Sequence, residues 1–278
     1  MNVQDLFRLT PDVHHALEGA VLMTTICSIR SIVIGVMFPP LDVTVLPAMV
    51  RTGLLVILSF YVAFGQSAEL IDGMSAPQLL AMACREVIIG LVLGLSASSV
   101  FLMAHGAGTL VDDLTGYNNV QIVNPSNPVT FTPTAMLFSQ IASMVFWTMG
   151  GMQSLLAVIY ESYHWWPLTS ETPIVANILE SFAIQQTENL MEGMLKLAAP
   201  IMLLLLLVDV GFGLIARAAP RLDLISLTQP VKAGVMVMVL VQFVGLFIHN
   251  LRGELTLIHL PERLHSVAAT MAASGVLP

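Results

Sequence analysis

Polar residues are sparse along this chain, and their positions divide it into six apolar runs, at residues 20–38, 43–64, 87–104, 135–160, 197–216 and 233–248. Each is long enough to form a helix, and a run of about 20 apolar residues is the length of a helix that crosses a bilayer. The run 135–160 carries no charge over 26 residues, so hydropathy alone predicts that it inserts. The run 197–216 is apolar or small throughout except for Asp209, and it ends in Arg217 and Arg221, which flank Pro220 at unequal distances. The last helical segment is predicted to begin near Pro230.

Three stretches between the runs have patterns of their own. Residues 176–196 are amphipathic, with Ile178, Leu179, Phe182, Leu190, Met191, Met194 and Leu195 recurring at helical spacing while Glu180, Glu188 and Glu192 take the polar positions. An interfacial helix that binds anionic lipid is basic; this one is acidic, which favours contact with another protein. In "REVIIGLVLGLSASS", Gly90, Gly94 and Ser98 fall at steps of four, a small-residue stripe that lets another helix approach closely. Residues 105–134 hold no lysine or arginine, with Gly106, Gly108, Gly116, Pro125, Pro128 and Pro133 spread among asparagines. Glycine and proline at that density break regular structure, and a connection beyond about 15 residues is commonly a functional loop. Its Val, Ile and Tyr content suits a loop folded in to line or block a cavity.

Composition agrees with the pattern. The chain has 278 residues, 56% hydrophobic and 10% charged, with mean hydropathy +0.84. Soluble domains carry about 25% charged residues, so this is a membrane-type protein, expected to be one unit with no soluble domain. The N-terminal residues, with Asp5, Asp12 and Glu18 and no lysine, do not read as a cleaved signal. Cys27 and Cys84 lie in or beside apolar segments and are expected to be free thiols. The net charge of -8 argues against nucleic acid and anionic headgroups as partners.

The charges inside the apolar runs are the most informative polar positions. Arg30, Arg51, Arg85, Glu86, Asp209 and Lys232 all lie within or at the edge of such runs. A central arginine costs about 2.5–3.5 kcal/mol on insertion scales, while each Leu, Ile, Val or Phe returns about 0.3–0.6. Five or six such groups facing lipid would together cost about 12–20 kcal/mol, so they face protein or water and are expected to pair. They are either a conduction path or interhelical contacts that fix the fold. Asp209 cannot be assigned a partner from the sequence; Arg217 lies two turns along nearly the same face. Lysines and arginines are split across the loops without a clear bias, so the positive-inside rule sets no topology.

Catalytic signatures are missing: no HExxH, no GxxxxGK[ST], no GxSxG and no cysteines at metal spacing. The seven histidines place no two imidazoles well on one helical face. No cofactor, metal or enzymatic activity is expected.

The series "RTGLLVILS", "REVIIGLVLG", "VDDLTGYNN…NPSNP", "GGMQSLLAVIYESYHWWP" and "AAPIMLLLLLVDVGFGLIARAAPRLD…QPVKAG", in this order from Arg51 to Lys232, resembles the T subunit of the type III secretion export apparatus, the SctT family, which is similar to FliR of the flagellum. "YESYHWWP" is closer to the injectisome branch. The resemblance implies an all-α protein whose helices form hairpins, with a long inserted loop. It implies one export-gate subunit over residues 1–278, in the bacterial inner membrane and multi-pass. Partners would be the R and S subunits, the U switch subunit, membrane lipid and unfolded secreted proteins. It also implies a plug loop within 105–134, with Gly106, Gly108, Asp112, Asp113, Gly116 and Asn118 as its residues and 106–127 as the movable seal. Two adjacent aspartates stand where the family has one acidic position. Arg51, Arg85, Glu86, Asp209, Arg217 and Lys232 would then be buried charges for assembly. A secondary transporter using buried ionisable groups is the alternative; it predicts inverted repeats, and the six segments differ in length and charge. A membrane enzyme is the third reading.

Overall fold

In the computed structural model, which describes residues 3–42, 46–65, 74–117, 122–123, 130–168, 176–218 and 224–255, the apolar runs become helices. They are α1 (Val3–Met37), α2 (Ala48–Phe64), α3 (Ala76–Thr115), α4 (Pro133–Thr148), α5 (Gly151–Trp165), α6 (Ala176–Ala218) and α7 (Leu224–Leu255). A single 3-10 turn, Pro39–Leu41, follows α1. The only strands among the described residues are β1 (Ile122–Val123) and β2 (Thr130–Phe131), paired antiparallel with Ile122 opposite Phe131. The fold is therefore all-α and of membrane type. Glu18–Met37, Ala76–Thr115 and Ala183–Ala218 are each long and apolar enough to cross a bilayer, and α4 with α5 passes the same test only as a bent pair, a broken span or a re-entrant loop.

Four boundaries differ from the pattern-based expectation, each for a local reason. The charge-free run 135–160 is two helices, because Gly150 takes φ +73°, a left-handed conformation that glycine adopts without a Cβ penalty. Gly151 then lies directly under the Phe146 ring, with no room for a β-carbon. The long loop does not begin at 105: α3 runs on to Thr115, and α4 starts at Pro133. The glycines read as breakers are instead points of close approach inside a helix, Gly106 beneath Met194 and Gly108 against the backbone of Ala135. The amphipathic stretch 176–196 and the run 197–216 form one 43-residue helix with Pro200 inside it. Proline there removes one backbone donor, while buried Ala198, Ile201 and Leu205 hold the helix on either side. Finally, α7 begins at Leu224 rather than near Pro230, which lies inside it.

The described residues separate into two compact units. In the first, drawn from Met1–Ser98 and Leu155–Ala176, α1 lies between α2 and the first half of α3. Leu55 of α2 fills the space over Gly35. On the other side Val33 covers Gly90, while Ile34 and Met37 cover Gly94. The Ser98 hydroxyl donates to the Met37 carbonyl at 2.8 Å. The small stripe thus meets α1 along three turns, at the close backbone distance such residues allow. Tyr163 of α5 closes this unit, donating to the Cys27 carbonyl at 2.8 Å.

The second unit, from Ser99–Ser154 and Asn177–His259, is built on the second half of α3. Phe101 meets Phe146 edge-on at 5.6 Å. Met103 covers Gly193 of α6, just as Met194 of α6 covers Gly106. Ala104, Ala107 and Val111 of α3 and Ala135, Phe138 and Ala142 of α4 are almost fully buried. Large apolar side chains also remain outside both cores, among them Leu203, Leu207 and Met238. Large exposed apolar side chains in this number suit a membrane-type protein.

Candidate functional site

Two clusters of charged and polar side chains are built into the described residues, one in each unit. The first surrounds Arg30, two turns before the end of α1 and fully buried. A buried guanidinium is tolerable only if its donors are used. Nε donates to Oε2 of Glu86 at 2.7 Å and Nη2 to Oε1 at 3.1 Å, a two-pronged grip on the carboxylate. Nη1 donates to the Ser162 hydroxyl at 2.8 Å, and Nη2 also reaches the Trp166 carbonyl at 3.1 Å. The guanidinium lies 3.9 Å from the centre of the Tyr163 ring, a favourable cation–π position. Arg85 lies 3.5 Å from Glu86 and donates to the Leu168 and Pro167 carbonyls at 2.7 and 3.1 Å. Two arginines and one glutamate thus fasten α1, α3 and the end of α5 together.

The second cluster gathers where α3 ends and α4 begins. Asp112 is fully buried, and its Oδ2 accepts the backbone N–H groups of Thr134 at 2.9 Å and Ala135 at 3.2 Å. A carboxylate at a helix N-terminus satisfies orphan donors and faces the positive end of the dipole. It therefore does the work of the N-cap Thr132, whose own side chain makes no cap bond. The other Asp112 oxygen has no hydrogen-bond partner among the described residues. Asp113 is exposed. Of the two adjacent aspartates, only Asp112 ties the two helices.

Lys232 of α7 meets this same end of α3. Its Nζ donates to the Leu114 carbonyl, in the last turn of α3, at 2.9 Å, and pairs with Asp209 of α6 at 2.6 Å. A cation there complements the negative end of α3. Asp209 thus pairs with Lys232, not with Arg217, which is exposed in the last turn of α6. Gly116, at φ +81°, follows α3 with the Gln229 side chain against it.

The remaining predicted residues are less central. Arg51 is half-buried and reaches the Leu41 carbonyl at 3.4 Å. Arg217, predicted to be a buried charge, is exposed because the end of α6 has no described neighbour covering it. Asn118 lies outside the described residues. Ser162, Tyr163, Trp166 and Gln229 complete the clusters without having been singled out by the sequence pattern; only the run of aromatic and polar residues in "YESYHWWP" marks three of them. No group of three histidines, cysteines or carboxylates at metal-binding range occurs among the described residues.

Comparison with known proteins places this geometry in context. Residues 21–257 match the family model for bacterial export proteins, family 1. The chain is 29% identical to Yop proteins translocation protein T of Yersinia pestis over 69% of its own length and 74% of that protein. It is 25% identical to the surface presentation of antigens protein SpaR of Salmonella typhimurium, over 84% of this chain and 85% of that one. Flagellar biosynthetic protein FliR of Escherichia coli is 25% identical over 69% of this chain and 72% of its own.

Proposed function

Since the chain belongs to the bacterial export proteins, family 1, we propose that it is the T subunit of a type III export gate, multi-pass in the bacterial inner membrane. It forms the conduit for unfolded substrates with the R and S subunits, contacts the U switch subunit, and works without catalysis or cofactor. The segment between α3 and α4 seals the conduit. The observation that best supports the sealing role is the joint between those helices. Asp112 fastens the start of α4 to the end of α3, so whatever lies between must leave and return at one fixed point. The β1–β2 pairing, Ile122 with Phe131 and Val123 with Thr130, adds a second tie within the segment.

Native mass spectrometry of the tagged chain, taken from its own host in mild detergent, tests the assembly. A fixed complex with several copies of two other small hydrophobic proteins is expected. Recovery of the chain alone, or as a simple homo-oligomer, would sink the gate reading. A separate experiment tests the seal. Deleting residues 118–127 from chains that still assemble is expected to raise ion leakage through the membrane, and an equally tight membrane would refute the sealing role.

A further inference from the structure

We infer that Asp209 and Lys232 do more than hold α6 to α7: they set the position of the α3–α4 joint, so that a displacement of α6 or α7 is felt at the base of the segment between α3 and α4. The inference rests on the sealing role proposed above and deepens it. Lys232 is the crossing point of the connection. It lies on α7, pairs with a carboxylate on α6 at 2.6 Å, and donates to a carbonyl in the last turn of α3 at 2.9 Å.

One ammonium therefore makes two contacts of different kinds. The pair with Asp209 is an ordinary interhelical ion pair and would be served by either polarity of the two charges. The bond to Leu114 is not reversible in that way, because a carbonyl oxygen at a helix C-terminus accepts a donor and repels a carboxylate. Burial differs too: the Lys232 side chain is 12% exposed and that of Asp209 36%. The lysine is thus the buried end, held against α3, and the aspartate is a positioning residue at the more open end.

What lies beyond Leu114 turns this into a control point. Two residues earlier in the same helical turn, Asp112 holds the first turn of α4. Two residues later, Gly116 lies against Gln229, which is one turn before Lys232 on α7. The last turn of α3 is thus gripped on one side by Gln229 and Lys232 of α7, and on the other by its own bond to α4.

The difference between the two contacts supplies the test. Three variants of the full chain are compared in the assembled complex: Lys232→Met, Asp209→Asn, and the swap Asp209→Lys with Lys232→Asp. Complex yield is read by native mass spectrometry. Ion leakage, and hydrogen exchange of the amides of residues 113–117, report on the joint. Losing a bond to a charged group is expected to raise exchange and leakage by about tenfold in Lys232→Met. Asp209→Asn should do so by less. The swap should restore complex yield yet remain leaky and fast-exchanging, since it rebuilds the ion pair and leaves a carboxylate against Leu114. A swap that restores both yield and tightness would overturn the inference, reducing the pair to α6–α7 contact. If Lys232→Met assembles poorly, Asp209→Asn decides, because it keeps the lysine and loses only its holder; unchanged exchange would then count against the connection. Deletion of 118–127 serves as the control. If that deletion leaks and Lys232→Met does not, the connection fails while the sealing role stands. If neither leaks but exchange rises in Lys232→Met, the sealing role fails and the connection stands.

Discussion

Glu86→Ala is expected to strip the chain from the membrane fraction, the largest single effect in the molecule. The substitution removes both bonds that the glutamate accepts from Arg30 and leaves a fully buried guanidinium with only the Ser162 hydroxyl and the Trp166 carbonyl. Removing one partner of a buried ion pair costs about 3–5 kcal/mol, comparable to a large part of the 5–15 kcal/mol that holds a typical domain together. Chain abundance and protease resistance in detergent would both fall. The double variant Arg30→Met with Glu86→Met is expected to recover most of the loss, because replacing a whole buried pair by apolar groups of similar volume is often neutral. Arg85 keeps its bonds to Leu168 and Pro167 in either case. Wild-type abundance and resistance for Glu86→Ala would show that the cluster does not support the fold.

The second large effect separates two neighbouring residues of the same type. Asp112→Ala leaves the N–H groups of Thr134 and Ala135 without their acceptor in a buried place. Each unmet buried donor costs about 1–3 kcal/mol, and the two share one carboxylate, so about 2–4 kcal/mol together is expected. Local opening of the first turn of α4 would become more frequent by roughly thirtyfold to a thousandfold, read as faster hydrogen exchange at residues 134 and 135. Asp113→Ala, at an exposed position, should stay within about 0.5 kcal/mol. Equal effects at both positions would contradict the assignment of the joint to Asp112.

Hydropathy made the helices legible, but not their ends. The apolar runs correspond to α1 through α7 because a bilayer-length apolar stretch has few other ways to satisfy its backbone. Helix ends depend on what each glycine meets, which a single sequence does not record. Gly106, Gly108 and Gly150 are the same residue type in three roles: under a methionine, against a backbone, and at positive φ. The pair of glycines in "TMGGM" was the available signal for the break after α4, outweighed by 26 uncharged residues. Buried charges were legible as a class, since lipid cannot hold them. Their partners were not. Asp209 had an attractive neighbour in Arg217 on its own helix, whereas its actual partner is on α7. The small stripe Gly90, Gly94 and Ser98 was readable because period four on a helix is local information, and it meets α1 in the structure.

The Arg30 cluster also places a clock on synthesis. Glu86 is 56 residues further along the chain and Ser162 is 132. At about 5–20 residues per second, the arginine waits roughly 3–11 seconds for its carboxylate and longer still for the hydroxyl. Throughout that interval the nascent first helix carries a charge that only later helices can neutralise. A chain that stops short of residue 86 therefore carries Arg30 without the carboxylate that holds it in the folded protein.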